Sequence, residues 1–405
     1  MKWLLYAWRN VVRNGRRSLM AGGVVAIGAV ALATTLGFML ATFFGLGEST
    51  IRADVGHIQI AAPGGFENDT DIGHGLDGAT QERVFQVLGR TEGVRFAMRR
   101  ILFDGLAAKG NTTVAVVGRG VEAMQEQRLS TVFAPVTAGT ALGLKEEDRF
   151  EALIGKLMAS KLGWRPDDLL TLVGTTASGS INAVDVVGTG AYSTGVPDKD
   201  ARAVMVPLSV AKSLLDTDKV SRIVVVLQDT AMTDTVLAQL KQALPELDIR
   251  DWKALDPYYQ QVVTLYRNIF SILCAIIVVV VLLSISNTMM MTVFERIKEI
   301  GTTRAIGFSA GEIRASFALE GTIIGILGAL IGLALAAALA VVINLSGIQM
   351  PPAPGRTAPY PLVIFIEPAV YLGIAAAMVV CGLLGALVPA HGASRMPIVE
   401  ALGHE

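Results

Sequence analysis

A chain of 405 residues is long enough for two or three domains, and a formal net charge of −1 with no long basic run gives no reason to expect a nucleic-acid partner. Apolar residues make up 52% of it and charged residues only 17%, against roughly 25% in ordinary soluble domains, and the apolar residues are clustered, which excludes a wholly soluble chain. Both cysteines, Cys274 and Cys381, fall inside apolar stretches, so the long region between the first two stretches contains none and must fold without disulfides.

Residues 1–18 form a basic amphipathic segment carrying Lys2, Arg9, Arg13, Arg16 and Arg17. Residues 19–46 follow without one charged side chain. That exceeds the roughly 20 residues needed to cross a hydrocarbon core, and it is far longer than the apolar part of a cleaved signal, so a retained membrane helix is expected. Residues 267–293, 317–345 and 369–388 are three further apolar stretches of spanning length, with Arg267 at the start of the first and Glu320 near the start of the second. A backbone in lipid must satisfy its own hydrogen bonds, so even the β-branched run Ile276–Val281 is predicted to be helical.

Residues 47–266 read as a mixed α/β domain, with two subdomains expected. Strand-like runs occur at 57–60, 112–117, 185–187, 203–206 and 222–227, and helical patterns at 81–88, 208–215 and 234–244, the second with Pro207 in a first-turn position. The Gly- and Asp-rich stretch 63–78 reads as a loop. Residues 256–266 keep helical spacing up to the second apolar stretch, which predicts a rigid stalk.

Basic residues set the orientation. They precede the first span, and Arg296, Lys298, Arg304 and Arg314 lie between the second and third. Loop 346–368 holds only Arg356, and Arg395 follows the fourth span. Both termini (1–18 and 389–405) and the loop 294–316 are therefore expected in the cytoplasm, and 47–266 in the periplasm of a bacterial inner membrane. The expected fold class is an α-helical membrane protein with four transmembrane helices and a large α/β periplasmic domain inserted between helices 1 and 2.

Catalytic signatures are missing. No GxxxxGK[ST] phosphate loop, HExxH or GxSxG motif occurs, and the four histidines, His57, His74, His391 and His404, lack metal-ligand spacing. His57 and His74 beside Asp69 and Asp71 read as a solvated loop. Glu320 is only about a turn into the third span, and no ionisable residue lies near a span centre, which speaks against ion-coupled transport. No catalytic, cofactor-binding or metal-binding residue is assigned.

The informative segment runs from Asn287-Thr288-Met289 through Glu295-Arg296-Ile297-Lys298-Glu299-Ile300-Gly301 to Arg304-Ala305-Ile306-Gly307, with Glu320-Gly321 beyond. It reads as a helix leaving the membrane with charges of both signs, where Glu295 and Glu299 share a face and Gly301 and Gly307 permit sharp turns. This ERxxEIGxxRAxG run and EG pair resemble the FtsX-like permease family of ABC transporters, which includes MacB and the lipoprotein-releasing LolC and LolE subunits. The N-terminal Trp8-Arg9-Asn10 to Arg17-Ser18-Leu19 and the C-terminal Pro389-Ala390, Arg395, Pro397 and Glu400-Ala401-Leu402 are similar to the family's two ends. Within the family, Gly56-His57-Ile58-Gln59-Ile60 and the proline-rich Met350-Pro351-Pro352-Ala353-Pro354-Gly355 are similar to the lipoprotein-release branch.

The resemblance implies a transporter subunit rather than an enzyme, with ATP and magnesium on a separate cytoplasmic ATPase dimer that binds the loop 294–316. It further implies a second permease copy or paralogue, a periplasmic carrier or adaptor, and a lipoprotein or other hydrophobic substrate. Glu295, Arg296, Glu299 and Arg304 are the candidate ATPase-coupling residues. Gly321, Gly325, Gly328 and Gly332 form a small-residue ladder, the candidate helix-packing interface between permeases. Two alternatives within the resemblance are MacB-like export of a drug, peptide or toxin through an adaptor and outer-membrane channel, and FtsX-like signalling to a periplasmic hydrolase.

Overall fold

The computed structural model describes residues 2–13, 15–67, 69–130, 135–143, 150–352 and 359–397. Residues 353–358 of the proline-rich loop, and Glu400, Ala401, Leu402 and His404 of the C-terminal tail, lie outside the described residues. The chain runs through α1 (Lys2–Arg13), α2 (Gly15–Thr50), a π-helical turn (Ile51–Val55), β1 (Ile58–Ala61), α3 (Gly78–Leu88), β2 (Val94–Lys109), β3 (Thr112–Val121) and α4 (Ala123–Ser130). It continues with β4 (Val136–Gly139), β5 (Glu151–Gly155), α5 (Lys156–Lys161), β6 (Leu169–Thr175), β7 (Ile181–Tyr192), α6 (Pro197–Asp200), β8 (Ala203–Pro207), α7 (Leu208–Leu215) and β9 (Arg222–Leu227). Then come α8 (Thr233–Ala243), β10 (Asp248–Asp251), α9 (Trp252–Leu255), α10 (Pro257–Glu295), α11 (Ile297–Ala305), α12 (Ala310–Ser346) and α13 (Pro368–Arg395). They divide into a helical unit and an α/β unit that extends from Gly45 to Gln261.

In the α/β unit one ten-stranded sheet has β2 at its centre. One edge of β2 pairs with β3 over residues 100–109, while the other pairs first with β9 and then with β6. From β3 the pairing passes through β8, β5 and β7 to β6 and so back to β2, closing six strands into a ring. Each of the six strands thus has two neighbours within the ring. Phe103, Leu172, Val186, Val204 and Val225 belong to one buried apolar core with Leu214 of α7. Pro207 is the residue before α7 rather than its first-turn residue.

Part of the stretch 63–78 is tied down. The ring of Phe66 lies between the guanidinium groups of Arg222 and Arg250, each 4.5 Å from its centre, and Glu67 and Asp69 pair with Arg250 and Arg222. His74 bonds Asp71 at 3.0 Å, while His57 is buried elsewhere, against Thr230. The sequence placed these two histidines together in one solvated loop; the structure separates them, because His57 precedes β1 and is covered by β9 and the turn after it.

Among the described residues, four helices are long and apolar enough to cross a membrane: α2, α10, α12 and α13. At 1.5 Å per residue the 39 residues of α10 extend about 58 Å, well beyond a hydrocarbon core of about 30 Å. α13 continues to Arg395, so residues 389–395, expected in a tail, are helical. Within the helical unit α12 packs on α13 and on α2 through small residues, and the buried side chains Val25, Ala29, Val281, Ile324 and Met378 join four helices in one cluster.

Candidate functional site

The ERxxE segment folds as an elbow. α10 ends at Glu295 because Arg296 leaves the helical conformation, with φ −106° and ψ 15°, and α11 starts at the next residue. Gly307 ends the elbow at φ +110°, a backbone conformation open to glycine and costly for other residues. Ser309 then caps α12: its hydroxyl accepts from the Glu312 N–H, and its own N–H donates to the Glu312 carboxylate, a reciprocal capping box. Gly301, expected to permit a turn, is instead a buried helical residue of α11. Val293, Ile300, Ile313, Phe317, Ala390 and Ala393 form the elbow's own apolar core.

On this core sits a network of charges. Arg296 is 9% exposed, and its Nη1 donates to both carboxylate oxygens of Glu320 at 3.1 and 3.2 Å. Its Nε donates to Glu299 at 2.9 Å, and its guanidinium lies over the Phe317 ring. Asn10 of α1 donates to the same Glu320 at 2.7 Å. Arg13 of α1 reaches Glu299 at 3.0 Å, and Arg17, in the first turn of α2, pairs with Glu295. Burial pulls the Arg296 pKa down, but Glu320 and Glu299 outweigh it and hold it above the usual arginine value. The hydrogen bond from Arg296 holds the Glu299 carboxyl below the usual glutamate value.

Three of the four candidate coupling residues therefore meet in one place. Glu295 and Glu299 do not share a single helix face, since the break at Arg296 puts them on α10 and α11; both nonetheless turn to arginines near the N-terminus. Arg304 stands apart, donating from Nη1 to the Met396 carbonyl at 2.8 Å beyond α13. Asn10, Arg13, Arg17 and Glu320 complete the network, and sequence reasoning did not include them. A signal for Glu320 existed: a carboxylate in an apolar helix needs a cationic partner, and Arg296 is the basic residue at the end of the preceding span.

The glycine ladder is occupied within the chain. Gly321 lies against Gly382 and Ala386 of α13, and a Cβ on Gly325 would come 2.8 Å from the Met378 carbonyl oxygen. Gly328 and Gly332 face α2, where a Cβ would lie 2.6 Å from Val25 Cβ and 2.5 Å from the Ala26 carbonyl oxygen respectively. The four glycines are thus helix-packing positions within the chain, where the close backbone approach of α13 and α2 fills that side of α12.

Long apolar helices, an α/β domain inserted after the first of them, and a charged elbow after the second define a membrane permease of the FtsX-like kind. Profile comparison agrees: residues 18–243 match the MacB-like periplasmic core domain and residues 269–398 the FtsX-like permease C-terminal domain. The chain belongs to this FtsX-like, MacB-type permease family. It is 28% identical over 215 residues to the macrolide export ATP-binding/permease protein MacB of Nitrobacter winogradskyi, covering 51% of this chain and 31% of that protein. It is 23% identical over 337 residues to the lipoprotein-releasing system transmembrane protein LolC of Neisseria meningitidis, covering 79% of this chain and 77% of that protein. The crystal structure of the periplasmic region of MacB from Actinobacillus actinomycetemcomitans matches 51% of this chain and 92% of its own length, at 11% identity and a TM-score of 0.34.

Proposed function

We propose that this chain is the permease subunit of an ABC transporter, with its elbow in the cytoplasm and its α/β domain in the periplasm, and that it releases lipoprotein from the inner membrane. A separate ATPase dimer, carrying ATP and magnesium, presses on α11; a second permease copy or a paralogue completes the assembly. The observation that carries this reading is the charge network. Glu295 ties the end of α10 to the start of α2, Glu299 ties α11 to α1, and Arg296 between them ties the elbow to α12, so a force applied at the elbow reaches several helices at once. α10 then extends as one unbroken helix to Pro257, the form a mechanical rod requires.

Lipoprotein release is favoured over export by the relative that is similar over most of both chains, the lipoprotein-releasing transmembrane protein. Export through an adaptor is the second reading, favoured by the match of residues 18–243 to the MacB-like core. Purification of the full chain from native membranes in mild detergent separates them. An ATP-binding protein together with a sister permease or a periplasmic lipoprotein carrier supports release. An adaptor of an outer-membrane channel supports export, and the lack of any nucleotide-binding protein refutes both.

A further inference from the structure

Residues 1–47 carry five cations, Lys2, Arg9, Arg13, Arg16 and Arg17, and no acid. The fold divides the arginines. Arg13 and Arg17 turn to Glu299 and Glu295, whereas Arg9 and Arg16 are exposed and have no carboxylate partner among the described residues. The chain bends sharply between α1 and α2. The Ser18 hydroxyl donates to the Val11 carbonyl at 2.9 Å, and in a straight helix residues seven apart are separated by roughly 10 Å. α1 therefore leaves the axis of α2 and lies against α12, where Asn10 bonds Glu320 at 2.7 Å.

At 3.6 residues per turn α1 has three strips. Ala7, Asn10 and Val11 are buried. Trp8 and Val12, four apart, are 48% and 61% exposed, and Arg9 and Arg13 follow on the far side of that apolar strip. Leu19 and Met20, also exposed, open the apolar stretch of α2. An exposed tryptophan beside an unpaired arginine, at the end of a membrane helix, matches the boundary of a lipid leaflet, apolar on one side and phosphate on the other. The absence of any acid in the segment selects an anionic lipid over a zwitterionic one, whose own ammonium competes for the phosphate. We propose that Arg9 and Arg16 bind the phosphate of an anionic phospholipid, with Trp8 and Val12 seated where headgroups meet acyl chains. Because the same helix holds Glu320 through Asn10 and Glu299 through Arg13, the bound lipid braces the elbow.

The test uses the full chain in mild detergent, titrated with phosphatidylglycerol or phosphatidylcholine and weighed intact by native mass spectrometry. The expected result is retention of phosphatidylglycerol in preference to phosphatidylcholine, reduced several-fold in the double variant Arg9→Gln, Arg16→Gln. Lys298→Gln with Arg395→Gln, exposed bases elsewhere in the helical unit, removes equal charge and should leave retention unchanged. If the glutamine pair disturbs insertion, Arg9→Lys with Arg16→Lys keeps the charge but loses the forked donors, and retention should fall at least twofold. Phosphatidylglycerol should also raise the thermal midpoint of the unaltered chain and not that of the double variant. Equal retention of both lipids overturns the proposal, as does retention that ignores the Arg9 and Arg16 variants or falls equally in the control pair. Displacement by inorganic phosphate overturns it too, since the ligand would then be a soluble anion. So does a photo-crosslinker at position 8 that captures protein rather than lipid in native membranes. None of these readouts needs an ATPase, so the transporter reading stands or falls separately.

Discussion

Arg296 and Glu320 are 9% and 4% exposed, and neither could sit among these apolar side chains alone. Desolvating a charge is costly, and here the cost is offset by a two-pronged contact plus bonds from Asn10 and to Glu299. Removing one partner strands the other. Glu320→Ala is therefore expected to destabilise the helical unit by about 3–5 kcal/mol, whereas Glu320→Gln, which keeps an acceptor for Asn10 and Arg296, costs less. The thermal unfolding midpoint in detergent measures both. The exposed Arg13–Glu299 pair belongs to a different regime, worth about 0–1 kcal/mol and weakened by salt. Arg13→Ala, which removes only this exposed pair, should barely move the midpoint. Glu299→Ala also takes a bond from buried Arg296 and should lower it, though less than Glu320→Ala. On the proposed function Glu299→Ala uncouples ATP hydrolysis from transport, and unchanged coupling would show that Glu299 has only a structural role.

His57 supplies a pH dependence at the same scale. Its Nδ1 accepts from the Leu227 N–H at 3.3 Å, so Nε2 carries the proton and donates to Thr230, whose hydroxyl donates to Glu48 at 2.5 Å. Burial lowers its pKa from 6.5 to about 4. Between those values the unfolded chain binds a proton that the folded one refuses, so stability is complete above pH 6.5 and declines as pH falls towards 4, by roughly 2 kcal/mol at pH 5. Hydrogen exchange at the amides of β9 should accelerate on going from pH 7.5 to pH 5, after correction for intrinsic rates. In His57→Asn that pH-dependent part should vanish.

At the scale of elements, legibility followed from how each segment is buried. β9 is buried at every residue, and its run Arg222-Ile223-Val224-Val225-Val226-Leu227 announces a strand with the observed limits. α7 was equally plain, because apolar residues at helical spacing pack one face into the core. β2, the longest strand, was not legible. Arg95, Arg99, Arg100, Asp104 and Gly105 interrupt its apolar pattern, and only the fold supplies the compensation: Arg100 meets Glu126 at 2.7 Å in the interior, and Arg99 meets Glu122 and lies over Phe85. The candidate site was half legible. ERxxE showed charges that needed partners, but those partners lie far along the chain, at Asn10, Arg13, Arg17 and Glu320.

The small-residue ladder was legible as a packing surface, though not as to which helices cover it. Gly328→Val would drive a branched side chain into Val25 and the Gly22 carbonyl and is expected to cost about 1–3 kcal/mol by overpacking. Gly373→Ala, on α13 with nothing within 4 Å of the added methyl, is the matched control. Comparing the two variants' thermal midpoints separates a packing defect from a general intolerance of the membrane helices to substitution.

On the proposed function, force passes through the whole molecule: the elbow would take up motion from a nucleotide-driven partner inside the cell, and the α/β domain would act outside. Opposite exposure of the two regions is its first requirement. Thr302 of α11 and Thr175 of β6 are both exposed on their own units, so a cysteine at either can be labelled with a membrane-impermeant maleimide, with Cys274 and Cys381 replaced. The account predicts that Thr175→Cys reacts in intact cells and that Thr302→Cys reacts only in inverted membrane vesicles. Labelling of Thr302→Cys in intact cells would contradict it.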